Sequence, residues 1–97
     1  MSPAVHFTFR LYLADNSLNS AQARANLTAL CREHLADRHD IEVVDVFSEP
    51  LRALADGVFM TPTLVKLSPL PQRRIVGPLT HLRATIEALG LDEAVVS

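Results

Sequence analysis

The chain has 97 residues, of which 48 % are apolar and 21 % charged, and its formal net charge is −2. A chain of that length holds one core, read here as one domain over residues 1–97, and its apolar share can build that core without disulfide or metal staples. The small net charge, with basic residues spread along the chain, excludes the electrostatic footprint of a nucleic-acid or anionic-lipid binder, and a single cysteine, Cys31, excludes an internal disulfide, a dithiol redox pair and a four-cysteine zinc site.

The stretch Met1-Ser-Pro-Ala-Val-His6 lacks a basic leader, and Arg10 interrupts the apolar run that follows, so neither a signal peptide nor a membrane span is expected. With one free thiol, a cytoplasmic setting is the natural expectation.

From His6 to Leu13 the residues alternate, with Phe7, Phe9, Leu11 and Leu13 on one face, and this predicts strand β1. The small polar run Ala14–Ser20 suits a turn, and Asn19 with Gln22 approximates a capping box that would start a helix near Ser20. Ala23, Leu27, Leu30, Cys31 and Leu35 then share one helical stripe, which predicts a helix ending near Arg38 to Asp40 and packed on a sheet. Ile41-Glu-Val-Val-Asp-Val-Phe47 is β-branched or apolar at nearly every position and predicts a strand covered on both faces, completing a parallel βαβ unit. Ser48-Glu-Pro50 opens a short helix whose apolar stripe is Leu51, Leu54 and Ala55 and which stops at Asp56-Gly57. Thr63–Leu67 and Arg73–Val76 flank the proline-rich turn Ser68-Pro-Leu-Pro71 and predict a hairpin. After Gly77-Pro78, Thr80 is the candidate N-cap of a last helix that buries Leu82, Ile86 and Leu89 and closes at Gly90, leaving the last seven residues to fray.

The chemistry the sequence lacks is as informative as its pattern. Gly57, Gly77 and Gly90 are too few and too scattered for a phosphate-cradling loop, so no nucleotide or other cofactor is expected. His6, His34, His39 and His81 stand in four separate contexts, without metal-ligand spacing. Cys31 falls on the apolar stripe of the long helix, where a free cysteine behaves as a small hydrophobe. Asp45 is either a buried carboxylate or an exposed strand-end residue, and no acid/base partner stands at a readable distance from it. Lys66, Arg73 and Arg74 fall on the two hairpin strands, where they form either a basic patch for carboxylates or a solvated edge that discourages sheet-to-sheet association. For Thr61-Pro62 the residues alone favour trans, since only about 5–6 % of X-Pro bonds in folded proteins are cis.

Three stretches taken together are specific: Leu11-Tyr-Leu-Ala-Asp-Asn16 with Asn19-Ser20, then Ile41-Glu-Val-Val-Asp-Val46, then Thr61-Pro-Thr-Leu-Val-Lys66 with Pro69, Pro71 and Arg73-Arg-Ile-Val-Gly77. In these the chain resembles the KaiB family of circadian-clock proteins over nearly its whole length. The resemblance implies a thioredoxin-like α/β fold of order βαβ-α-ββα, with a mixed four-stranded sheet and helices on both faces. It also implies an alternative, rearranged fold that assembles as a homo-oligomer, a dimer or tetramer. In thioredoxins the redox CxxC stands just after the first strand; here that place reads Asn16-Ser-Leu-Asn-Ser20, so a non-catalytic binding module is implied.

By the same resemblance the partner is the hexameric KaiC ATPase, Lys66, Arg73 and Arg74 match positions implicated in that contact, and an associated histidine kinase is a second clock partner. Thr61-Pro62 matches the cis-proline position, which shifts the expectation towards cis. Ala88 stands where relatives commonly carry glycine and Gly90 where they carry aspartate; both favour the helical, thioredoxin-like state. Gln22 and Gly57 replace basic residues often found there. Two other functions stay open: a vestigial monothiol redox protein using Cys31, and an adaptor of the same fold with a changed partner.

Overall fold

The computed structural model describes residues 5–14 and 17–90, so the expected fraying of the last seven residues, and Asp15 and Asn16 of the first turn, lie outside the described residues. Along the chain run β1 (Phe7–Leu13), α1 (Leu18–His34), β2 (His39–Asp45), α2 (Pro50–Ala55), β3 (Thr63–Ser68), β4 (Arg73–Val76) and α3 (Leu82–Leu89). The sheet order is β2-β1-β3-β4. β1 pairs with β2 in parallel and with β3 antiparallel, and β4 returns antiparallel to β3. This is a thioredoxin-like mixed sheet.

Strand alternation sends side chains to two cores. On one face Phe7, Phe9, Leu11 and Leu13 of β1 and Leu64 of β3 meet Ala23, Leu27, Leu30 and Cys31 of α1, with Leu35 and with Leu89 of α3. On the other face Tyr12, Val44 and Val65 meet Ala53 of α2 and Val58 just beyond it. The α1 stripe read from the sequence is therefore the stripe that packs, and each large side chain fully buried there contributes about 1.5–3 kcal/mol.

Several expectations are corrected. The N-cap of α1 is Ser17, whose Oγ accepts from the Ser20 amide at 3.1 Å, so the helix begins ahead of the Asn19/Gln22 box; it ends at His34 rather than near Asp40. β2 is covered only in part: it is an edge strand in which Val44 alone is buried, on the α2 side, while Ile41 packs half-buried against the α1-side core, and Asp45 is exposed, its Oδ1 accepting from the Phe47 amide at 2.8 Å. Its β-branched run therefore reflects strand propensity more than full burial. In α2 the inward residue is Ala53, and the stripe expected to be buried, Leu51 and Leu54, faces solvent. In α3 the N-cap is His81 rather than Thr80, and Thr85 and Leu89 are buried while Leu82 is exposed.

The ends of α2 and α3 are built as glycine chemistry dictates. Gly57 has φ 68, the Val58 amide donates to Ala53 O at 2.8 Å and the Gly57 amide to Leu54 O at 3.0 Å, the paired bonds of a Schellman motif. Gly90 has φ 74 and ψ 20, a left-handed stop, and Ala88 is an exposed residue of the helix interior. Replacing Gly90 by alanine should cost about 1–2 kcal/mol, because a Cβ is forced into the left-handed region. Ala88→Gly should cost about 0.5–1 kcal/mol through backbone entropy. Urea melts followed by far-UV circular dichroism read both losses.

Candidate functional site

The place that holds the redox dithiol in thioredoxins carries hydroxyls here. Ser17 and Ser20 are hydrogen-bonded to each other at 2.9 Å, and Ser20, buried, sits 3.3 Å from the Ala14 amide, tying the N-terminus of α1 to the end of β1. Cys31 lies about three and a half turns along α1 by the usual helical repeat. It is wholly buried, and that burial pushes its thiol up to about 12. The one thiol of the chain is therefore not presented to solvent. Among the described residues no three histidine, cysteine, aspartate or glutamate side chains stand together as a metal site would need.

The three hairpin cations do not form one patch. Lys66 pairs across the ladder with Arg73 and projects to the α1/α3 face, where it is 4 % exposed; its Nζ donates to Leu89 O at 2.9 Å and lies 5.9 Å from the Phe7 ring centroid. Arg73 is exposed. Arg74 pairs with Val65 and so projects to the opposite face, where its Nη1 donates to Gly57 O at 2.9 Å and its Nη2 to Asp56 O. Adjacent residues of a strand point to opposite faces, and this alternation is what divides Arg73 from Arg74. The Thr61–Pro62 peptide is cis, with Pro62 buried.

Beneath α2 lies a polar network that the sequence did not announce. Asp56, the C-cap of α2, accepts from the Tyr12 hydroxyl and, at 2.8 Å, from Arg10 Nη1. Arg10 Nε donates to Glu42 at 3.0 Å, and Arg52 Nη2 reaches the same Glu42 oxygen at 2.8 Å. The Tyr12 hydrogen bond, then Arg10, holds the Asp56 carboxyl below the usual carboxylate range, while burial and then the bond to Asp56 push the Tyr12 phenol up. Glu42 is pulled down to about 2 by Arg52 and then Arg10. The only advance signal was the polar tip of Tyr12 in an apolar strand, which needs a partner once buried.

The segment that contains α2 leaves apolar side chains in water. Phe47, Leu51, Leu54, Phe59 and Met60 are all between 61 and 84 % exposed. Five large apolar side chains between residues 47 and 60 are thus left in water, none of them packed into either core. The charges of the same face are engaged with one another and with α2.

A thioredoxin-like frame, hydroxyls at its redox position, a buried inert thiol and an exposed apolar segment define a thioredoxin-fold protein without dithiol chemistry. The KaiB domain model matches residues 10–90, and the chain belongs to the KaiB family. It is 41 % identical over 83 residues to "Circadian clock protein KaiB3" of Synechocystis sp., covering 86 % of this chain and 79 % of that one. It is 36 % identical over 92 residues to "Circadian clock oscillator protein KaiB" of Synechococcus elongatus, covering 95 % and 88 %. Among solved structures, the N-terminal domain of Synechococcus elongatus SasA superposes with a TM-score of 0.75 at 19 % identity, covering 96 % of this chain and 90 % of that one. A thioredoxin from Halobacterium salinarum superposes with a TM-score of 0.71 at 20 % identity, covering 94 % and 76 %. At such identities these two structures speak for the fold alone.

Two outcomes are expected. Cys31 in the native protein should react with a thiol reagent at neutral pH at least about a hundredfold more slowly than in the urea-unfolded chain, read by absorbance of the released chromophore. Because the Asp56 carboxyl is depressed in the fold, its contribution is fully present above its unfolded value near 4 and is lost as pH falls through the lower folded value. Asp56→Asn should therefore lower stability by about 1–3 kcal/mol at pH 7. The gap from wild type should narrow as pH falls below the unfolded value near 4 and through the lower folded value, in denaturant melts across pH.

Proposed function

We propose that this chain is a non-catalytic regulator in a clock or clock-like timing system, and that it acts by docking on a KaiC-type hexameric ATPase. The clock names of its relatives at 41 % and 36 % identity support the setting. The observation that carries the docking reading is the exposed apolar segment around α2, from Phe47 to Met60. Burying such side chains against a partner removes apolar area from water at roughly 25 cal/mol per Å2, which supports a stable contact without any reaction. Arg73, exposed at the start of β4, adds a cation at the sheet edge able to meet a carboxylate on the ring. Lys66 and Arg74 belong to this reading through the helices they hold. A clock-associated histidine kinase is the second partner on this reading, by family membership.

The thioredoxin-like state described here is the state proposed to dock. Ala88 within α3 and Gly90 at its left-handed stop favour it over a rearranged, oligomeric form, and strand-type rather than helical NMR shifts through Leu82 to Leu89 would count against that bias.

Native mass spectrometry of the protein mixed with a KaiC-type hexamer, in ATP and in ADP, tests the proposal. The expected result is a ring carrying added copies of this chain, lost in Leu51→Ser and Phe59→Ser, whose melting temperatures stay near wild type because both side chains are already in water. A wild-type chain that forms no complex in either nucleotide overturns the ATPase as partner.

A further inference from the structure

The segment that carries Phe59 and Met60 is tied down on both sides. On its N-terminal side the Schellman bonds end α2 at Gly57, and Val58 is buried against Ala53 in the α2-side core. On its C-terminal side Pro62 is buried and the Thr63 hydroxyl donates to Met60 O. Two exposed apolar side chains thus project from a segment held at both of its ends.

One side chain from elsewhere in the fold holds the first of those ties. Arg74 of β4 donates to two successive carbonyls at the end of α2, Asp56 O and Gly57 O at 2.9 Å. The guanidinium's fork makes this possible, since its two Nη groups present parallel donors that a lysine ammonium cannot match. Gly57 meets two demands at once: its φ of 68 suits glycine, and a Cβ there would come within 3.3 Å of Arg74 Nη1. The hairpin does the same on its other face, where Lys66 holds Leu89 O at the end of α3.

We propose that Arg74 is a positioning residue for partner binding: it clamps the end of α2 so that Phe59 and Met60 are pre-set for docking, and it acts through that geometry rather than by pairing its charge with the partner. The inference rests on the docking reading above. Both of its Nη groups are already engaged with the chain's own carbonyls, and binding gains from pre-setting come from ordering that the free protein has already undergone.

The test compares wild type with Arg74→Lys and Arg74→Gln by amide hydrogen exchange of the free protein and by affinity for the KaiC-type hexamer at two salt concentrations. The expected result is exchange at Gly57, Val58 and Phe59 at least about threefold faster in both variants, with exchange in β1 and α1 unchanged. Affinity should fall by about tenfold in both, with the wild-type salt dependence retained, because the charge-keeping lysine does not restore the clamp. Rescue of affinity by lysine together with a flattened salt dependence in glutamine would overturn the proposal in favour of direct charge pairing. Unchanged exchange in the free protein would overturn the clamp itself. If wild type fails to bind the ring, the partner reading falls, and exchange in the free chain still decides whether Arg74 orders the Phe59–Met60 segment.

Discussion

The carboxylate of Asp56 is the junction on which the functional face depends. A helix of six residues, Pro50–Ala55, is far too short to persist alone, and its burial rests on Ala53, with Val58 beyond it, both modest in area. What fixes it to the sheet is polar: the Tyr12 hydroxyl and Arg10 of the central strand converge on Asp56 at the helix's C-cap. Those bonds are formed largely out of water, where a satisfied pair is strong and an unsatisfied one costly. Because this anchor holds α2 from beneath, Leu51 and Leu54 are free to face outward. An apolar face retained in water needs a hold that does not itself consume the apolar residues.

The hairpin extends the same logic to both sides of the sheet. Lys66 and Arg74 each place a cation at the C-terminal end of a helix, where unpaired carbonyls and the helix dipole favour positive charge. For Lys66 the location is buried, so the carbonyl of Leu89 and the Phe7 ring offset part of the desolvation cost. These two strand cations thus serve the chain's own helices, whereas Arg73 beside them stays exposed.

Set on a thioredoxin-like frame, these features separate fold from activity. The frame places a helix N-terminus after β1, but Ser17 and Ser20 close that end with hydroxyl bonds, and the one thiol of the chain is spent as core. The family and the exposed apolar residues around α2 support the binding role proposed for this chain, which the scaffold alone would not imply.

The sequence by itself determined the element order, the α1 stripe of Ala23, Leu27, Leu30, Cys31 and Leu35, the glycine stops at Gly57 and Gly90, and the family. Those are local properties, written in periodicity, glycine chemistry and contiguous motif. Only the tertiary structure decided which strand is an edge, which face of α2 points inward and where the hairpin cations go. Ile41–Phe47 reads as a fully covered strand because propensity and burial favour the same residue types, and only the packed structure shows an edge strand with Val43, and Phe47 beyond it, exposed. Leu51 and Leu54 read as a buried stripe because periodicity marks an apolar face without saying whether anything in the same chain covers it. Arg10, Tyr12, Glu42, Arg52 and Asp56 come from three elements separated along the chain, so their convergence exists only once β1, β2 and α2 have packed.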